Sequence, residues 1–104
     1  MSDEKIILVA RLKVKPGAAD KIKHAAVSLA DQSRAEEGCL NYDVHQAVDD
    51  ETVFVWHETW ASKAALDGHF AEPYFAEFFA LAEGSAAEPP QINITKMITQ
   101  KSKK

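Results

Sequence analysis

The chain has 104 residues, enough for one hydrophobic core and too few for two, because a second core would not bury enough apolar surface to offset the entropy of ordering it. Its 46% hydrophobic and 27% charged residues are those of an ordinary globular protein and exclude the disordered and fibrous classes. With a net charge of -4, and its only lysine cluster at Lys101, Lys103 and Lys104, the chain offers no basic field to a phosphate backbone, so no nucleic-acid partner is expected.

In chain order, Ile6, Leu8, Ala10, Leu12 and Val14 alternate with Ile7, Val9, Arg11, Lys13 and Lys15, the period of two of a first strand. Pro16 and Gly17 end it. Ile22, Ala25, Ala26, Leu29 and Ser33 then recur at three- and four-residue spacing, which predicts a long helix closed by Gly38. Cys39 to Val48 carries the alternating set Leu40, Tyr42 and Val44, and Asp49 and Asp50 turn the chain into Thr52 to Trp60, rich in β-branched and aromatic residues; together they predict a hairpin. Ser62 is the expected N-cap of a short helix over Lys63 to Phe70. Pro73 restarts the chain as a first helical residue, with Tyr74, Phe75, Phe78, Phe79 and Ala82 as the apolar stripe before Gly84. Ile92, Ile94 and Ile98 read as a last strand, and a polar tail follows over residues 99–104.

The order β, α, β, β, α, β, with the second helix broken in two, predicts a single α+β domain of ferredoxin-like arrangement with its core over about residues 5–98 and both helices on one sheet face. The strands are apolar on both parities, Val53 and Val55 on one and Phe54 and Trp56 on the other. The helix-free face is therefore expected to bury itself against a second copy in a homodimer. Cys39 stands alone, so no intrachain disulfide forms and a reducing, cytoplasmic setting is expected. The longest apolar run, Ile6 to Ala10, is far too short to span a bilayer, and no stretch has the make-up of a signal peptide; no membrane partner is expected.

Along the third strand Phe54, Trp56, Glu58 and Trp60 share a face, which sets a carboxylate between two indoles. Partial desolvation there raises a carboxyl pKa and suits Glu58 to proton transfer, whereas a strand-end glutamate in a salt bridge is the plainer alternative. His69 sits on the short helix that folds back over the sheet, where its imidazole can meet the Glu58 face or simply be satisfied by a backbone carbonyl at the helix end. His24, His45, His57 and His69 do not pair at the spacings usual for metal ligands, so no metal is expected. Phosphate-loop, Cys-x-x-Cys and nucleophile-elbow motifs are missing, and Cys39 reads as a structural thiol. Tyr42, Trp56, Phe70, Tyr74 and Phe78 are the candidate walls of a flat apolar pocket for a small aromatic molecule, although helical spacing alone also predicts burial for those on the helices.

Val14-Lys15-Pro16-Gly17, the run Gly38 to His45, and Glu58-Thr59-Trp60 followed by Ser62, Leu66, His69 and Pro73 together resemble the antibiotic biosynthesis monooxygenase family, from about Lys5 to Met97. The resemblance implies a dimeric α+β barrel with a pocket between sheet and helices. It also implies oxidation of quinols or polyketide phenols by O₂ with no metal, flavin or other cofactor. It carries over His69 as acid/base or phenolate partner, Trp60 as a wall hydrogen-bonding through its indole N–H, and Asn41 as a polar orienting group, although the strand parity turns Asn41 toward the helix-free face. Haem-degrading relatives use an Asn on the first strand and a His in the later helix. Neither is present here. A further branch isomerises a phosphorylated sugar, and a binding domain without catalysis is the third alternative.

Overall fold

In the computed structural model, which describes residues 4–99, the elements run β1 (Ile6–Lys13), α1 (Ala19–Arg34), β2 (Cys39–Gln46), β3 (Val53–Trp60), α2 (Lys63–Phe70), α3 (Pro73–Ser85) and β4 (Gln91–Thr95). The four strands form one antiparallel sheet in the order β2-β3-β1-β4, the ferredoxin-like topology that the element order predicts. The expected tail from Gln100 onward lies outside the described residues.

Register assigns the two faces. Leu8 pairs with Glu58, Ala10 with Trp56 and Leu12 with Phe54, and Tyr42 pairs with Glu58 from the other side. Leu8, Leu12, Tyr42, Phe54 and Trp56 join Ile22, Ala26 and Leu29 of α1 and Leu66 of α2 in the core, with Ala10 packed against it. Burial of each large side chain in this layer contributes roughly 1.5–3 kcal/mol. The opposite parity, including Val9, Val55, His57, Asn41 and His45, forms the face without helices.

Three boundaries differ from the sequence reading. Helix α1 stops at Arg34, four residues before Gly38, because the amides of Ala35 and Glu36 bond back to Gln32 and Ser33 and tighten the last turn. Leu40 does not share a face with Tyr42 and Val44: a register shift between Cys39 and Asn41 sets Cys39 opposite Trp60 and leaves Leu40 50% exposed. Ile98 lies beyond β4 and is exposed.

The caps follow local chemistry. The Ser62 hydroxyl accepts from the Ala65 amide at 3.1 Å and starts α2. Pro73, which needs no amide partner, opens α3 directly after α2 ends at Phe70. The β2–β3 turn is held by Asp50, which accepts from the Thr52 amide, the Thr52 hydroxyl and Lys13 Nζ. Gly38 lies so close to α2 that a Cβ added there would collide with the Ala65 Cβ, although its own backbone does not require glycine. Among the described residues no helix is long and apolar enough to cross a membrane.

Candidate functional site

A partly open cleft lies between the covered sheet face and α3. Leu8, Ala10 and Leu12 of β1, Tyr42 of β2 and Trp56 and Glu58 of β3 form its floor, and Phe70 of α2 with Phe75, Phe78 and Phe79 of α3 closes it from above. Trp56 and Phe78 meet edge to face at 5.8 Å, and Phe75 lies 5.0 Å from Phe70 and 5.9 Å from Phe79. The aromatic roof is only half buried. The cavity measures about 60 Å³, well below the roughly 150 Å³ of an apolar cavity that admits benzene. A ring enters only if the phenylalanines of the roof turn aside.

Glu58 is the carboxylate on this floor. It is 4% exposed, and its Oε1 accepts the indole N–H of Trp60 at 2.9 Å. Burial pushes its carboxyl up to about 7; hydrogen bonds from Trp60 and Tyr42 pull the other way, and the charge of Glu36 adds to the rise. Tyr42, buried beside Glu58, has its phenol held protonated, first by burial and then by that carboxylate. At neutral pH Glu58 is thus poised between acid and base, facing an apolar cavity.

His69 and Trp60 stand one layer behind the cleft wall. The Trp60 ring is fully buried and lies 4.6 Å from the imidazole, with the rings tilted by 34°. Tyr42, Phe70 and Phe75, which do line the cleft, surround the same imidazole at 5.7, 5.9 and 5.1 Å. His69 meets not Glu58 but Glu36, in the turn after α1, with Nδ1 2.7 Å from Glu36 Oε2. The Tyr74 phenol donates to the same oxygen, and its proton is held tightly by burial and by that bond. His69 Nε2 is buried and has no hydrogen-bond partner among the described residues.

The sequence-derived candidates thus divide by place. Glu58, Tyr42, Trp56, Phe70 and Phe78 line the cleft; Trp60, His69 and Tyr74 form the layer behind it. Asn41 lies on the helix-free face, donating to Asp43 Oδ2 and to the backbone carbonyl of His57. Glu36 is missed by sequence reasoning, since a glutamate in a turn, here followed by Glu37, has no periodic signal; its one clue is its place two residues before Gly38. Cys39 has its thiol pushed up to about 11, chiefly by burial and then by Glu36 and Glu58, which makes it a poor nucleophile.

The family described as antibiotic biosynthesis monooxygenase matches residues 5–81. The Synechocystis (strain PCC 6803) protein sll1783, which is uncharacterized, is 32% identical over 92% of this chain, and the chain spans 65% of that protein's length. A Bacillus subtilis (strain 168) protein named "Putative monooxygenase YcnE" is 35% identical, covering 88% of this chain and 97% of its own. The crystal structure of PA3566 from Pseudomonas aeruginosa superposes with a TM-score of 0.84 at 30% identity, over 92% of this chain and 96% of that one.

Proposed function

The chain belongs to the antibiotic biosynthesis monooxygenase family, and from that premise we propose that it oxidises a small quinol or phenol with O₂ in the cleft, with no cofactor. The observation that carries the reading is a buried Glu58, with its carboxyl pushed up to about 7, as the acidic group on the floor of an aromatic cavity. Glu58 takes the hydroxyl proton of the substrate. The electron-rich phenolate passes an electron to O₂, the resulting radical pair joins as a ring peroxide that takes the proton back from Glu58, and loss of water from the hydroperoxide leaves a quinone. One oxygen atom of O₂ ends in the product and the other in water, and the substrate supplies every electron. The protein contributes proton transfer, exclusion of water and a site for the anion.

A ring that displaces Phe75 opens the cleft toward His69, so His69 is the second polar group the ligand meets, with Trp60 fixing Glu58 from behind. Oxygen uptake with a panel of hydroquinones tests the reading. Uptake is expected to exceed autoxidation by orders of magnitude and to fall by a factor of about 10² or more in His69→Ala. Uptake at the autoxidation rate for every quinol sinks it.

The isomerase alternative needs cationic groups in the cleft for a phosphate. Arg11 is the cation that lines the cleft among the described residues, and it pairs with Glu88 at 3.4 Å; Lys13 lies outside the lining and pairs with Asp50. We further propose that two copies pair through the helix-free face, where Ile7 and Val55 are half buried and Val9 is 37% exposed. Light scattering is expected to give twice the chain mass, and Val9→Lys to give a monomer; a wild-type monomer at micromolar concentration contradicts the pairing.

A further inference from the structure

We infer that Glu36 is a positioning residue of this site: it holds His69 in the Nδ1–H tautomer and so leaves Nε2 as a bare acceptor for a ligand hydroxyl. The importance of that acceptor rests on the phenol-oxidising reading above; the tautomer itself does not.

The inference stands on which partners surround the imidazole. Glu36 Oε2 lies 2.7 Å from Nδ1, and the Tyr74 phenol donates to the same oxygen, so the carboxylate acts as acceptor toward two elements, α2 through His69 and α3 through Tyr74. His69 is 1% exposed, and among the described residues Nε2 meets no hydrogen-bond partner. Three protonation forms are open to a histidine here. The Nε2–H form would press the Nδ1 lone pair against a carboxylate and also bury an N–H without an acceptor. The imidazolium form would satisfy Glu36 yet leave the same N–H stranded. The groups facing the ring are Trp60 and, through it, Glu58 from β3, Tyr42 from β2, Phe70 from its own helix and Phe75 and Tyr74 from α3. Only the Nδ1–H form leaves no buried donor unpaired, at the cost of an unused lone pair on Nε2.

A bare Nε2 has a chemical consequence for ligand choice. It accepts, so it discriminates for a molecule that donates there, a phenol or enol hydroxyl, and against one that presents a carbonyl or phosphate oxygen. Sequence spacing does not reveal this, because Glu36 and His69 are 33 residues apart; the turn that carries Glu36 lies against α2 where Gly38 approaches Ala65.

The test is long-range proton–nitrogen NMR on full-length protein labelled at histidine nitrogens, near neutral pH, with His69 assigned through its own backbone. The wild type is expected to give a protonated Nδ1 and an unprotonated Nε2. Glu36→Ala is expected to move the tautomer ratio about tenfold or more toward Nε2–H, the form that a solvated histidine side chain favours, and Tyr74→Phe to keep Nδ1–H. A wild-type His69 that is Nε2–H or doubly protonated overturns the inference, and so does an unchanged ratio in both Glu36→Ala and Glu36→Gln. The wild-type spectrum decides the matter even if a variant fails to fold. Because no turnover is read, failure of the oxidation assay and failure of this inference are separate results.

Discussion

Glu58→Gln is expected to make the protein more stable at about pH 8, by on the order of 3 kcal/mol, while leaving its stability at about pH 4 nearly unchanged. In the folded chain burial raises the carboxyl from 4.5 to about 7, so between those values the folded protein holds a proton that the unfolded chain has already released. Stability from this group is fully present below 4.5 and is lost as pH rises through about 7. Glutamine keeps an oxygen for the Trp60 indole and never ionises, so the loss disappears. Urea unfolding at several pH values reads the effect. Equal slopes of stability against pH in the two proteins through this range would show that Glu58 titrates as an ordinary carboxylate. At the acid end Asp50 acts in the opposite sense. Hydrogen bonds from the Thr52 side chain, Lys13 and the Thr52 amide hold it well below the usual carboxylate range, so its contribution is present above that range and lost on acidification.

Gly38→Ala is expected to cost about 1–3 kcal/mol and to disturb the site at a distance. The added methyl meets the Ala65 Cβ, and neither is a flexible chain end, so the turn and α2 must separate. That movement pulls Glu36 away from His69, since the first is two residues before Gly38 and the second four residues after Ala65. Removing the opposing methyl as well, in Gly38→Ala with Ala65→Gly, restores space. The double variant should therefore be more stable than the sum of the two single losses, even though glycine in a helix costs about 1 kcal/mol by itself. Simple additivity in thermal or urea unfolding would mean that the close approach does not limit the fold.

Much of the fold was legible because its signals are local and periodic. The alternation from Ile6, the β-branched run to Trp60, Ser62 as a cap and Pro73 as a restart all act within a few residues, and the structure places a boundary or a face at each. Leu40 escaped because a bulge inserts one residue without altering composition, and parity counted from Tyr42 then fails on the far side. The end of α1 escaped because Gly38 looks like a helix stop, yet its glycine is required by contact with α2.

The site was less legible than the fold. Strand parity puts Glu58, Trp56 and Trp60 on one face, and the register bears that out. Which neighbour each finds is a tertiary matter. Glu58 and Trp60 bond to each other two residues apart, and His69 finds Glu36 across 33 residues, a pairing with no trace in spacing. The small size of the cleft is likewise a packing result, set by where Phe75 and Phe78 rest and not by how many aromatics the stripe contains.

The pH dependence of oxygen uptake tests whether Glu58 accepts a proton from a phenolic ligand in this cleft. Rates with one hydroquinone, after subtraction of autoxidation, are predicted to rise with pH through about 7 in the wild type as Glu58 ionises. In Glu58→Gln the rate should be lower by a factor of about 10² to 10⁴ and should lack that rise. A Glu58→Gln protein that turns over at the wild-type rate, with the same pH profile, would contradict the account.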